Sequence, residues 1–457
     1  MITKTVCCAT ECAADGFSHL KNDGGGIHVN YKQKWQISKL TLRTGGIYNR
    51  IGNTSFANIS PNGERVKMLK LNLDDRIWID AVWEKIDAKM SVIAQNNKDI
   101  IPYTTDEHGK FIDCVTGEYP YDISWWTNGF WPGYMWLLYA GTKKEVYKTA
   151  AQNAEALLDG AFAEYEHLHH DVGFMWHISA GVNYRLTGNR KSQLRALYAA
   201  DFLAARYNPA GKYVRSWNAD ADADANGGNK LIIDSMMNIP LLYWAAKEHG
   251  DDRYKKIAVN HADTVMRTHI RADGTSNHIV VVNPENGDAI EALGGQGYEL
   301  GSTWTRGQAW AIYGFAISYL HTGDEKYLMT AKKVANAFIA CAAQNHWIVP
   351  LDFRQPEEPK LYDTTAAACA ACGLIEIAKT CSKYDIKNYL NAAMKLLKAI
   401  DAKAADYTTD ADNLVNYGSE AYYPGRGEAG HNTAIIYGDY YYTEAIYKLK
   451  GFEPMFW

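Results

Sequence analysis

The chain has 457 residues, 47% hydrophobic and 22% charged, with a formal net charge of −5 and a sequence pI of about 6.3, a balance that argues against the basic face of a nucleic-acid binder. No run reaches the ~18 apolar residues of a membrane span, and the opening MITKTVCCATECAADG lacks the apolar core of a secretory signal, so a cytoplasmic, reducing location is expected. The 14 Trp and 31 Tyr stand out: many are flanked by Gly, Asn, Asp or His, as are rings that stack on the flat apolar faces of a ligand such as a sugar.

Residues 1–67 are rich in Gly, Asn, Thr and Lys and show no sustained period, so they are read as an extension outside the fold, poorly ordered or artefactual. From Met68 the pattern changes to a long amphipathic helix with an acidic start, LKLNLDDRIWIDAVWEKIDAKMSVIAQ, and residues 68–457 are read as one catalytic domain. Four later segments repeat a theme: a helix, a glycine (Gly141, Gly188, Gly250, Gly323), a polar residue, and a charged helix start. Glycine suits the left-handed position that ends a helix, and Asn or Asp the cap that begins the next. About twelve helices are expected, near 72–97, 128–140, 143–163, 174–186, 190–206, 234–248, 252–269, 306–321, 325–342, 362–380, 384–402 and 431–448, with HIVVVN as a short strand signal. Twelve helices in six hairpins predict an all-α fold, a closed (α/α)6 barrel with an open solenoid as the alternative. The long Gly/Asn/Trp-rich connections gather at one end of such an array, where function usually lies.

Three stretches carry candidate chemistry. In HLHHDVGFMW, Asp171 sits just before a helix, either as its cap or as a functional carboxylate. In KLIIDSMMNIPLLYWAA, Asp234 starts an apolar helix, either as its cap or as a functional carboxyl, and its large apolar neighbours should raise its pKa and make it a proton donor near neutrality. The stretch from Ser276 to Trp310 holds His278, Gln296, Arg306 and Trp310; the last two are four apart at a helix start and share a face. Aromatic clusters at Ser124–Trp136 and Glu420–Tyr442 add Trp125 or Trp126 and Tyr423, and Trp217 precedes an Asp-rich loop without the pattern of a calcium site. The CxxC of Cys369 and Cys372 lies in an Ala-rich helix and reads as small-residue packing, with no metal expected.

HDVGF (His170–Phe174), LIIDSMMNIP (Leu231–Pro240), the His278 segment and QGYELGSTWTRGQAWA (Gln296–Ala311), in that order and spacing, resemble the unsaturated glucuronyl hydrolases, glycoside hydrolase family 88. The resemblance runs from about Leu71 to the C-terminus and implies an (α/α)6 barrel, no cofactor, and an unsaturated oligosaccharide as binding partner. It implies removal of the 4,5-unsaturated uronic acid that lyases leave on glycosaminoglycan-type fragments, by hydration of a vinyl ether. Asp234 matches the acid/base and Asp171 the supporting carboxylate. His278 and Gln296 match residues that position sugar or water, and Trp125, Trp217, Arg306, Trp310 and Tyr423 match subsite-lining positions. Arg306 is the expected cation for the uronate or for the leaving sugar. The loop Pro424–Gly430 reads PGRGEAG, without the Ser and Lys of relatives that prefer sulfated substrates. An unsaturated rhamnogalacturonyl hydrolase and a non-catalytic carbohydrate-binding toroid are the alternatives, and the oligomeric state is left open.

Overall fold

In the computed structural model, residues 69–118, 121–218, 227–423, 430–452 and 456–457 are described. The expected extension at 1–67, most of the Asp-rich loop after Trp217, and nearly all of Pro424–Gly430 lie outside the described residues. The helices are α1 (Leu73–Asn96), α2 (Phe130–Thr142), α3 (Glu145–Leu157), α4 (Val172–Trp176), α5 (Ala180–Thr187), α6 (Arg190–Ala205), α7 (Pro240–His249), α8 (Asp252–His269), α9 (Thr305–Thr322), α10 (Glu325–Gln344), α11 (Thr364–Thr380), α12 (Ile386–Lys403) and α13 (Ile436–Leu449). Helices α2, α9, α11 and α13 bury nearly every residue, whereas α3, α8, α10 and α12 bury one face. A helix that is apolar all round belongs inside. The inner ring is therefore α2, α4 with α5, α7, α9, α11 and α13, backed by α1, α3, α6, α8, α10 and α12. Helix α13 packs on both α2 and α1, which closes the (α/α)6 barrel.

The hairpins turn largely where their local chemistry dictates. Gly188, Gly250 and Gly323 end α5, α7 and α9 at φ of 74°, 65° and 72°. The side chains of Asn189, Asp251 and Asp324 then accept backbone N–H groups of the next helix. Gly141 departs from that expectation. It lies inside α2, whose left-handed cap is Lys143, and a Cβ on it would meet the Trp83 ring at 2.5 Å. Two helices expected to be continuous are also interrupted. The one over 174–186 divides into α4 and α5. The one over 234–248 starts as a 3-10 turn, Ile233–Met237, before Pro240 opens α7. The helix expected over 143–163 stops as α-helix at Leu157, and the last helix begins only at Ile436.

Strands are short. β1 (Pro102–Thr105) pairs with β2 (Phe111–Asp113), and β3 (Tyr207–Asn208) with β4 (Tyr213–Val214). β5 (Lys230–Ile232), β6 (Ile279–Val282) and β7 (Ala289–Leu293) form an antiparallel sheet with β6 in the middle. Among the described residues, no helix is long and apolar enough to cross a membrane.

Candidate active site

The three-stranded sheet brings together residues far apart in sequence. Leu231 lies opposite Val280 and Ile232 opposite Ile279, so the segments leaving the two strands, with Asp234 and His278, run side by side. The Ile233 N–H donates to the His278 carbonyl at 3.1 Å. β7 returns Leu293 beside Ile279, and the chain then passes directly over the imidazole. Gly295 is required there: its φ is +135°, and a Cβ would stand 2.1 Å from His278 Nδ1. The next residue, Gln296, donates its backbone N–H to Nδ1 at 3.1 Å. Because Nδ1 accepts, the proton of the neutral ring is on Nε2. Burial pushes the His278 pKa down to about 3, so the ring is neutral at physiological pH.

His278 Nε2 faces Asp234 Oδ2 at 3.6 Å. Both atoms are buried and neither hydrogen-bonds to a described residue. Buried polar atoms are normally partnered, and exceptions of this kind mark sites completed by a ligand or water. Burial pushes the Asp234 pKa up to about 7, and the nearby charge of Asp171 adds to this; Arg306 and the Trp310 indole oppose it. The carboxyl is thus poised to carry a proton near neutrality.

Asp171 occupies the cap position of α4, yet its side chain makes no capping bond. Asn238 Nδ2 instead donates to its Oδ1 at 2.6 Å, with His169 Nδ1 3.2 Å from Oδ2 and His170 Nε2 3.4 Å from Oδ1. Burial pushes this carboxyl up, but His170, His169 and Asn238 outweigh it and hold Asp171 below the usual range. Burial also pushes the His170 pKa down to about 3. Asn238 braces the pair from both sides. Its Oδ1 accepts the Phe174 N–H at 2.8 Å, and its Nδ2 also reaches the Asp234 carbonyl at 3.3 Å. The two aspartates therefore sit in environments that push their proton affinities apart, as an acid and a permanently charged partner require.

Arg306 lies deeper than a sugar-facing cation would. It is 1% exposed, with Nη1 donating to Asp363 Oδ2 at 2.5 Å and to the Ser419 carbonyl at 2.6 Å, and Nη2 donating to the Glu420 carbonyl. Its guanidinium carbon is 4.8 Å from the Trp304 ring and 5.6 Å from that of Tyr437. Trp310, one turn on, is fully buried against Phe174 and Tyr441. Both residues lower the proton affinity of Asp234. Gln296 Nε2 is committed to the Glu420 carbonyl at 2.7 Å.

The other expected aromatics sit around this centre. Trp125 is half-buried, with ring centroids 4.7 Å from Tyr121 and 5.6 Å from Tyr103. Trp126 turns the other way, 5.2 Å from both Phe174 and Tyr437. Half-buried Trp217 follows Ser216, whose carbonyl accepts the His170 N–H at 3.1 Å. Tyr423 is 68% exposed and packs on Tyr422, whose N–H donates to the Gln296 carbonyl at 2.8 Å. Sequence reasoning missed Asn238, Glu420, Tyr103 and Tyr121. The Glu420 carboxylate receives hydrogen bonds from both tyrosine hydroxyls, joining the Trp125 cluster to the segment that holds Arg306. Asn238 stands one turn beyond Asp234 in the quoted motif, and Glu420 heads the last aromatic stretch; nothing local marked the two tyrosines.

Among the described residues, His169, His170 and Asp171 form the one group of three whose ligand-type atoms lie within 4.8 Å of each other. One Asp171 oxygen of that set is already taken by Asn238. Cys369 and Cys372 are fully buried in α11, in keeping with helix packing.

No protein-family model matches the chain. It is 35% identical over 385 residues to the unsaturated glucuronyl hydrolase of Bacillus sp. (strain GL1), a match that covers 82% of this chain and 99% of that protein. It is 33% identical over 343 residues to the unsaturated chondroitin disaccharide hydrolase of Streptococcus pneumoniae (strain R6), covering 74% and 84% respectively. The crystal structure of the Bacillus sp. GL1 unsaturated glucuronyl hydrolase matches at a TM-score of 0.73 with 34% identity, over 80% of this chain and 97% of that one. A mutant unsaturated glucuronyl hydrolase from Streptococcus agalactiae, complexed with dGlcA-GalNAc6S, matches at a TM-score of 0.68 with 27% identity, over 86% and 99%.

Proposed function

The chain belongs to the unsaturated glucuronyl hydrolase family of glycoside hydrolases, and from that premise we propose that it releases the 4,5-unsaturated uronic acid from lyase-generated glycosaminoglycan fragments, with Asp234 as the acid and base. The observation that carries this reading is a buried carboxyl with a pKa of about 7, an unpartnered oxygen, and an ionised carboxylate nearby.

Asp234 donates its proton to C4 of the double bond, and positive charge develops at C5 and on the ring oxygen. Asp171 stabilises that charge and holds ring hydroxyls. Water then adds at C5 and returns a proton to Asp234, which restores the acid. The hemiketal opens to a ketone at C5, which frees the ring oxygen as the hydroxyl of a hemiacetal at C1, and that hemiacetal collapses to an aldehyde as the C1–O glycosidic bond breaks and the leaving sugar departs as its alcohol. Neutral His278, with its N–H aimed at the Asp234 oxygen, orients water or sugar there. Trp125, Trp217 and Tyr423 offer rings to the oligosaccharide, Gln296 and Trp310 shape the wall, and Arg306 supplies buried positive charge. Five described cysteines, all free, support the cytoplasmic placement.

The enol ether absorbs ultraviolet light and hydration bleaches it. Wild-type protein should bleach unsaturated glycosaminoglycan disaccharides. Asp234→Asn should lose about 10²–10⁴ of the rate, the usual worth of general acid/base help, and still bind substrate. Turnover by Asp234→Asn at the wild-type rate would refute the assignment of the acid.

A further inference from the structure

A cavity of about 290 Å³ lies outside this site, between the ends of α10 and α12 and the start of α11. Its wall carries three aromatic residues, Trp347, Tyr362 and Tyr417, together with Lys403 at the end of α12. None of these was singled out by the sequence, and none touches Asp171 or Asp234 in the contacts above.

Two of the three rings are held in unusual backbone conformations. Trp347 has φ of 67° and Tyr417 φ of 61°, in the left-handed region where bulky side chains are genuine outliers. Such conformations persist where the surroundings over-determine them, and they cluster at ligand clamps. The Trp347 N–H donates to the Ala342 carbonyl at 2.8 Å, and the Tyr417 carbonyl accepts the Thr364 N–H at 3.0 Å. Tyr362 meets Tyr417 edge-on, with centroids 6.2 Å apart. The cavity is at the lower limit of the roughly 300–1,000 Å³ of small-molecule sites, which suits one ring rather than a chain of them. Aromatic walls suit a ligand with flat apolar faces and polar edges. The charge on the wall is positive: Lys403 is exposed and forms no ion pair among the described residues.

We propose that this cavity is a second ligand site that takes a single pyranose ring bearing a carboxylate, with the ring against Trp347 and Tyr417 and the carboxylate toward Lys403. The site is separate from the chemistry at Asp234, and the two are tested separately.

The probe is sodium glucuronate, titrated into the full chain labelled with 5-fluorotryptophan. The fluorine resonance of Trp347 is assigned by its loss in Trp347→Phe. It should shift saturably with glucuronate. Lys403→Glu should weaken that titration about tenfold, as expected for loss and reversal of a charge-assisted contact, and leave a titration with neutral methyl glucoside unchanged. Tyr417→Ala should weaken both, and because Lys403 is on the surface, its variant decides the matter even if Tyr417→Ala folds poorly. Bleaching of unsaturated disaccharide by Lys403→Glu should match wild type, which reports on Asp234 independently. The proposal is overturned by a Trp347 resonance that glucuronate does not move, by a midpoint that Lys403→Glu leaves unchanged, or by equal weakening for the neutral sugar.

Discussion

At the scale of single residues, the site depends on two carboxyls with opposite proton affinities. With Asp234 at about 7, the protonated donor is lost as pH rises through that value, so kcat/KM for bleaching should fall across it. The charge of Asp171 helps to hold that pKa up. Asp171→Asn should therefore be slow, and its residual activity should begin to fall at a lower pH; a pH profile of the variant checks this. The same carboxyl costs stability. Its folded pKa is above its unfolded value, so the native state binds the extra proton, and stability falls as pH rises between 3.8 and about 7. That interval corresponds to about 4 kcal/mol. Asp234→Asn should be more stable than wild type at pH 8 by up to that amount, and should lose the gain at pH 4, as read by urea unfolding. The raised affinity was legible in the sequence, because Asp234 follows Leu-Ile-Ile and precedes Ser-Met-Met. The lowered one was not. It depends on Asn238 and two histidines folded around Asp171, and sequence alone left that residue equally readable as a helix cap.

At the scale of elements, the site is set by close approaches between backbones. Helix α9 crosses the 3-10 turn of Asp234 at Gly314, where a Cβ would lie 2.7 Å from the Met236 carbonyl oxygen. Gly314→Ala should cost about 1–3 kcal/mol, as overpacking does, and displace Asp234, so that kcat falls more than KM changes. Steady-state bleaching with a parallel unfolding curve measures both. Asn238→Ala leaves the buried Phe174 N–H without an acceptor and removes the close donor to Asp171 Oδ1, and should cost about 1–3 kcal/mol. Hairpin turns were readable because Gly-Asn and Gly-Asp chemistry is local, as at Gly188 and Gly250. Gly141 misled because it answers to Trp83, which is distant in sequence. The break between α4 and α5 and the turn before α7 escaped for a similar reason. An apolar run satisfies the helical period whether or not tertiary contacts interrupt it, and here they do, at the catalytic end of the ring.

At the scale of the molecule, the ring is sealed between α11, α13 and α1. Lys448 of α13 reaches Glu376 of α11 at 2.6 Å and Glu444 at 3.4 Å, all of them buried. Burial pushes Glu376 up, but Lys379 and Lys448 overcome it and hold its pKa down to about 2. Lys448→Met leaves Glu376 with Lys379 at 3.1 Å and Glu444 with the Tyr313 hydroxyl and the Trp457 indole, so it should cost about 1–3 kcal/mol, seen as an earlier urea midpoint with bleaching retained below it. The six-hairpin ring was legible in sequence as a count of helices, but this lock was not, since Lys448 and Glu376 are ordinary surface residue types with no shared local pattern. The closure of α13 on α1 also governs how the chain reaches its native state. The earliest described helix also touches α2 and α3, which follow it closely, but its seam with α13 spans almost the whole barrel. Folding that waits on such distant pairing is slow. Until it occurs, the open ring presents the apolar surfaces of α2 and α13, the kind of transient exposure that invites self-association and chaperone capture.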